Sequence, residues 1–231
     1  PGLAAENLRR PEGIRVSDEK VRLIMIEHGL WRGRRVTGTV HAWRERKARC
    51  GEMVQMDGSH HDWLEDRGPR LVLMALVDDA TGRAWGRFYE YEGVWPAMDA
   101  LEGYLRLYGR PESLYLDRHS TYKANREADL DELLRGQEAQ TQFARAAQEL
   151  GIRIIHAYSP QAKGRVERLF GTLQDRLVKE MRLAGIRTLE EANRFLEDYW
   201  PAFNQQFSKP AREARDAHQS LPKRIDLREV F

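Results

Sequence analysis

The chain has 231 residues, 41% hydrophobic and 32% charged, with a formal net charge of +2. That is enough apolar material for one well-buried domain plus appendages, and the longest apolar run, Leu71 to Val77, is far too short to span a bilayer. No charged-then-apolar segment opens the chain, and Cys50 is the sole cysteine, which excludes an intramolecular disulfide and a cysteine zinc cluster. A cytoplasmic protein with no membrane association is expected. Opening on Pro1, the sequence reads as a fragment.

Charge is uneven along the chain. Residues 1–50 carry twelve Lys or Arg against six acids, so this segment is +6 and the remainder is −4. A basic arm ahead of a folded core suits a polyanion, because each phosphate neutralised releases condensed counterions. A solvated linker remains the alternative. Arg34 and Arg35 are the candidate DNA contacts here, and Trp31 and Trp43 lack an apolar pattern that would bury them.

Ser17 is placed to cap a short helix to about His28, with Asp18 and Glu19 in its first turn and Gly29 ending it. With the basic connector after it, this helix suggests the remnant of a helix-turn-helix, although no partner helix is evident. From Gly51 the pattern changes to strands: Glu52 to Asp57, Leu71 to Val77, and Arg83 to Tyr91 after an Asp79-Ala-Thr-Gly82 turn. Short connections make these an antiparallel meander. A helix from Pro96 stops at Gly109 and Pro111, and a fourth strand, Ser113 to Leu116, follows. A helix from Phe143 to Leu150 and a fifth strand, Ile152 to Tyr158, complete two α/β units, whose crossovers are parallel.

The next helix runs from Gly164 to Leu183, with Val166, Leu169, Phe170, Leu173, Leu177 and Met181 as its buried stripe. Glu167 lies off that stripe, on a face shared with Lys163, Gly171 and Gln174. Thr188 and Glu191 form a capping box for a last helix, read as interrupted near Pro201. The domains read as a basic segment 1–50, a core 51–207, and a tail 208–231, irregular or partner-dependent.

Three carboxylates carry the chemistry: Asp57 and Asp117 at strand ends, and Glu167 on a helix. Acids so placed can hold two magnesium ions, which clamp the attacking and leaving oxygens of an in-line phosphoryl transfer. The substrate implied is a phosphodiester. Each acid alone is as readily a turn cap or a solvated helix residue. Asp78 and Asp79 compete as ligands, but the following Ala-Thr-Gly reads as a turn. His60, His61 and Asp62 suggest zinc, yet adjacent histidines on a strand point opposite ways and no second cluster completes a tetrahedron. Lys163, Arg165 and Arg168 around Glu167, and Arg118, His119 and Lys123 beside Asp117, are candidate contacts to a DNA backbone, with an exposed helix face as the alternative for the first three.

The order of elements and acids resembles the ribonuclease-H-like fold, an α/β architecture with a five-stranded mixed sheet, three antiparallel then two parallel strands, flanked by helices. Met56-Asp57-Gly-Ser, Tyr115-Leu-Asp117-Arg-His-Ser and Ser159-Pro-Gln-Ala-Lys-Gly164-Arg-Val-Glu167-Arg look like the catalytic core of retroviral-integrase-type transposases. Pro160, Gly164 and Glu167 form the most specific string. Gly51 to Gly58 with His61-Asp-Trp, and the stretch from Gly171 to Glu180, look closest to bacterial insertion-sequence transposases of the ISNCY type. The resemblance covers roughly Gly51 to Phe207, and the interval from Asp117 to Glu167 is longer than in retroviral integrases, with the surplus around Asn125 to Gln142. The resemblance implies a DDE transposase, with Asp57 bridging two Mg²⁺ or Mn²⁺ ions, Asp117 holding one and Glu167 the other. It also implies double-stranded DNA, both transposon ends and target, as partner, and a homo-oligomer. A nuclease or resolvase that cuts without joining, or an inactive DNA-binding or assembly module, are the other readings.

Overall fold

The computed structural model describes residues 1–31, 45–117, 122, 141–156, 164–221 and 226–231. The chain divides into two compact units, Pro1–Ala42 and Trp43–Phe231. The first holds α1 (Gly2–Glu12) and α2 (Asp18–Glu27), with Ala5 and Val21 buried. Ser17 caps α2 as its sequence suggests, the hydroxyl accepting from the Lys20 N–H at 3.2 Å. α1 is the helix that the sequence reading misses: it has no side-chain cap and no acid in its first turn, and it ends on Gly13 in the left-handed region. Arg34, Arg35 and Trp43 lie outside the described residues.

The second unit is built on β1 (Val54–His61), β2 (Leu71–Asp78), β3 (Ala84–Tyr89), β4 (Ser113–Leu116) and β5 (Arg153–His156), in the spatial order β3-β2-β1-β4-β5. β1 pairs antiparallel with β2, as β2 does with β3, while β4 lies parallel to both β1 and β5. This is the mixed sheet of the ribonuclease-H-like fold expected from the element order. α3 (Val94–Tyr108) and α4 (Gln142–Glu149) supply Leu101, Tyr104, Phe143 and Ala147 to one core layer, packed with Met56, Met74, Leu114 and Leu116. α5 (Gly164–Leu183) and α6 (Leu189–Phe207) supply Leu173, Leu177, Trp200 and Phe203 to the other, packed with Leu71, Leu73, Ala75 and Val77. All eight residues of β2 are buried, which is why that strand reads as an uninterrupted apolar run and not as an alternating one. A short α7 (Leu227–Val230) ends the unit.

Two elements depart from expectation. β1 does not stop at Asp57 but runs to His61, because β2 offers it a partner for every residue. α6 is continuous through Pro201. Proline removes one N–H, which leaves the carbonyl of exposed Glu197 without that helical donor. The helix is held at its start by the Thr188–Glu191 capping box and along its length by β3.

That last attachment solves the edge problem of the sheet. Asn204 donates to the Ala84 carbonyl and accepts from its N–H at 2.8 and 2.7 Å, and Asn193 does the same for Phe88 at 3.0 and 2.8 Å. Between them the Trp200 indole N–H donates to the Gly86 carbonyl at 2.8 Å. Groups that an edge strand would offer to another chain are thus spent within the fold. The segment after α6 crosses the same end of the unit: Lys209 N–H bonds the Thr81 carbonyl, Glu213 that of Ala48, and Ala217 that of Cys50, and Gln219 pairs with Arg110.

Asn193→Ala and Asn204→Ala should each lower the unfolding free energy by about 1–3 kcal/mol, since each strands backbone groups at the covered edge. The two losses should add, because the sites share no partner. Urea unfolding of the single and double variants checks this, and a change below about 0.5 kcal/mol in both singles would contradict it.

Candidate active site

Position along β1 decides what surrounds Asp57. Val54 pairs with Leu114 and Gln55 with Tyr115 in parallel register. The same register carried onward sets Asp57 beside Asp117, on neighbouring strands about 5 Å apart. Asp117 directly follows the end of β4, while β1 continues on its β2 side, so the two aspartates stand where the sheet opens into a notch. Side chains alternate across a strand. Met56, Leu114 and Leu116 face α3 and α4, so Asp57 and Asp117 share the opposite face, that of α5, and both are half-buried. His156 Nδ1 lies 3.3 Å from the Asp117 carbonyl, tying the end of β5 to the end of β4.

α5 is laid along β1 by two hydrogen bonds that straddle Asp57. The Val166 N–H donates to Gln55 Oε1 at 3.3 Å, and Gln174 Nε2 donates to Ser59 Oγ at 3.3 Å. With Val166 buried against the sheet, Glu167 follows in the first turn, exposed, where a helix N-terminus favours negative charge. A Cβ added at Gly171, one turn further on, would meet nothing within 4 Å among the described residues.

The three acids do not close onto a single point. Among the described residues, the trio of His, Cys, Asp or Glu donors within 4.8 Å of one another is Cys50, Asp216 and His218. Asp57, Asp117 and Glu167 form an all-carboxylate donor set, the kind that hard divalent cations prefer. The Cys50 trio is already satisfied. With His218 Nδ1–H donating to Asp216 at 2.7 Å and Nε2 accepting from the Tyr104 hydroxyl at 2.9 Å, both ring nitrogens are engaged. Burial, with Asp78 nearby, pushes the Cys50 thiol up to about 11.

The basic candidates separate. Arg165 turns inward: its Nε donates to Asp79 Oδ1 at 2.6 Å, with the arginine side chain 9% exposed and that of Asp79 0%. This buried ion pair fixes the start of α5. Gln55 Nε2 and the Lys47 N–H also bond Asp79. Arg168 is exposed on α5. Arg46, hydrogen-bonded to the Ala80 carbonyl at 3.0 Å, has its pKa lowered by burial and then by the guanidinium of Arg165, with Arg168 adding to it. A cluster of positive charge that the sequence reading did not include Arg46 in thus stands at the foot of α5. Arg118, His119, Lys123 and Lys163 lie outside the described residues, as does the surplus stretch up to Gln140.

The competing ligands are occupied with structure. Asp78 accepts from the Thr81 N–H and hydroxyl at 2.8 and 2.6 Å, and from the Gly51 N–H at 2.8 Å, the turn role that Ala-Thr-Gly suggests. His60 lies 2.8 Å from Glu92, and His61 packs edge-on to Trp63, on opposite faces of β1. Gln55 could have been found from sequence, since it is a polar residue two places before Asp57 on the same strand face.

Arg165→Ala should destabilise the protein by about 3–5 kcal/mol, because it leaves the buried Asp79 carboxylate without its cation. Arg168→Ala should cost about 1 kcal/mol or less, as for other exposed charges. Denaturant unfolding separates them, and equal effects would contradict the inward placement of Arg165.

No family model matches the chain. It is 42% identical, over its whole length, to the putative transposase y4bF of Sinorhizobium fredii, of which it covers 50%. It is 40% identical over 73% of its length to the transposase for insertion sequence IS1202 of Streptococcus pneumoniae, covering 35% of that protein. The chain thus spans half or less of these relatives. Among solved structures, the simian T-cell lymphotropic virus intasome in complex with a PP2A regulatory subunit aligns with a TM-score of 0.51 at 18% identity, over 84% of this chain and 62% of that one. The HTLV-2 integrase catalytic core domain in complex with magnesium, in its dimeric form, aligns with a TM-score of 0.51 at 16% identity, over 74% of this chain and 98% of that one. In sequence the chain is similar to a putative transposase and an insertion-sequence transposase of bacteria, and in fold it is similar to the catalytic cores of retroviral integrases.

Proposed function

We propose that this chain carries the catalytic core of a DDE transposase, acting on double-stranded DNA with Asp57, Asp117 and Glu167 as its metal-binding acids. The observation that carries the reading is the register of β1 with β4, which sets two aspartates side by side on the face covered by the helix that bears the glutamate. The similarity to transposases along the whole chain supports it, as does the fold shared with a core domain whose solved structure contains magnesium.

In this reading Asp57, Asp117 and Glu167 would together hold the Mg²⁺ or Mn²⁺ ions. Such ions, when bound, lower the pKa of the attacking water or alcohol and offset the charge that builds on the phosphorus. Three clustered carboxylates become tolerable for the same reason. The Gln55 and Gln174 bonds orient α5, so that Glu167 is presented by a rigid element and not by a loop. Exposed Arg168, with Arg46, offers charge to the DNA backbone, while Arg165 serves the fold. The first step is hydrolysis: water oxygen bonds the phosphorus at a transposon end, and the 3′ oxygen leaves as a hydroxyl. In the second, that hydroxyl attacks a target phosphodiester and displaces the target's 3′ oxygen, conserving the number of phosphodiester bonds. Pairing two DNA ends calls for a homo-oligomer.

Asp57→Asn, Asp117→Asn and Glu167→Gln should each reduce joining of a pre-cut transposon end by at least about a thousandfold while DNA binding persists. A metal-dependent joining assay beside a mobility-shift assay reads both. Retained joining in any one variant removes that residue from the site, and cleavage without joining in the unaltered protein favours the nuclease reading.

A further inference from the structure

Asp79 is a buried carboxylate that the proposed chemistry does not use. Its side chain is 0% exposed, and three segments far apart in sequence converge on it. Arg165 Nε, at the start of α5, donates to Oδ1 at 2.6 Å, and Gln55 Nε2, on β1, donates to the same oxygen at 3.2 Å. The Lys47 N–H donates to Oδ2 at 2.8 Å. Each of these groups is a donor, so the position suits a side chain that only accepts. Asparagine would turn an NH₂ toward one of them.

The contacts of Asp79 lead in two directions. Toward the acids, Arg165 is held by the carboxylate itself, and the Val166 N–H is held at 3.3 Å by the Gln55 whose amide Asp79 accepts from. These are the two residues before Glu167. In the other direction, Lys47 lies ahead of β1, in the stretch that the sequence assigns to the basic segment. That stretch is bonded to the sheet and its surroundings: Arg46 donates to the Ala80 carbonyl at 3.0 Å, and the Ala48 N–H to Glu52 at 3.2 Å. The Ala48 and Cys50 carbonyls accept from the Glu213 and Ala217 N–H groups at 3.0 and 2.7 Å. Well-packed apolar side chains often stabilise a buried space as well as an ion pair does, and the best-attested use of a buried polar group is to fix one arrangement among several.

We propose that Asp79 is a positioning residue for Glu167, and that residues 45–50 act through it as part of the support of the acid site. The Lys47 N–H holds Oδ2 from one side, which keeps Oδ1 aimed at Arg165 and Gln55 on the other. Without that N–H the carboxylate is free to rotate, and the first turn of α5 loses the contact that sets its direction. Groups that bond behind metal ligands commonly change metal affinity by ten- to a hundredfold when removed, because the ligands must be held to within about half an ångström. The inference rests on the reading of Asp57, Asp117 and Glu167 as metal-binding acids.

The test is titration calorimetry of Mn²⁺ into the whole chain, unaltered and as Lys47→Ala, Lys47→Pro, the double variant Asp79→Asn/Arg165→Met, and Asp57→Asn, with thermal unfolding of each. Lys47→Pro deletes the N–H, and the double variant removes both buried charges together, so that neither is left unpaired. Both should weaken Mn²⁺ binding by about tenfold while keeping a cooperative unfolding transition above the titration temperature. Lys47→Ala, which keeps the N–H, should bind as the unaltered chain does. Affinity within about twofold of the unaltered chain in either altered junction overturns the proposal. An equal loss in Lys47→Ala, or loss of the fold in both junction variants, overturns it as well. If only one of them fails to fold, the other decides. Abolished binding in Asp57→Asn beside intact binding in both junction variants removes this inference alone. If Asp57→Asn binds Mn²⁺ as well as the unaltered chain, or the unaltered chain does not bind it, the metal-site reading falls too.

Discussion

The register of β1 is the constraint on which the rest depends. On one side it pairs with β2 through all eight residues, from Val54 with Asp78 to His61 with Leu71. On the other it pairs in parallel with β4, which ends one residue short of Asp117. A slip of one residue would turn Asp57 to the α3 and α4 face and bring Met56 or Gly58 to the α5 face. The long antiparallel side prevents this, because its side chains are divided between two buried layers and neither tolerates inversion. The position of the acid is thus set by apolar packing that involves no acid at all.

α5 inherits its place from the same strand. Gln55 accepts from the Val166 N–H and donates to Asp79, and Asp79 holds Arg165, so three polar side chains link the first turn of the helix to the ends of β1 and β2. Buried charges are costly unless paired and hydrogen-bonded, and here each is. The arrangement spends a cation of the Lys-Gly-Arg-Val-Glu-Arg stretch on orientation. Glu167, two residues beyond Arg165, is left free of the packed surface while its backbone is fixed, which suits a group meant to meet a ligand.

Much of this was legible from sequence where one physical effect dominated. The α5 stripe is periodic over five turns, and its bounds, Gly164–Leu183, follow from it. Ser113 to Leu116 was equally clear, as a short apolar run between a helix stop and a charged segment. Elements decided by distant partners were not. β1 outruns Asp57 because β2 pairs with it, and no residue from Gly58 to His61 has strong strand propensity of its own. Pro201 is tolerated because two asparagines and a tryptophan hold α6 to β3, contacts that no local rule reveals. Of the site, the aspartates and the glutamate stood out through their motifs, but the inward turn of Arg165 depends on Asp79, which is 86 residues away in the chain. Glu92 carries no motif, and its place over Gly58 arises only once β3 and α3 are packed.

The central claim is that carboxylates from β1, the end of β4 and the start of α5 surround one pair of hard divalent cations. Anomalous diffraction from crystals soaked in Mn²⁺ tests it most directly. Two peaks about 4 Å apart, each about 2.2 Å from oxygens drawn from Asp57, Asp117 and Glu167, with Asp57 touching both, are what this account predicts. Strong peaks elsewhere, such as at Cys50, Asp216 and His218, with none between the three acids, would contradict it.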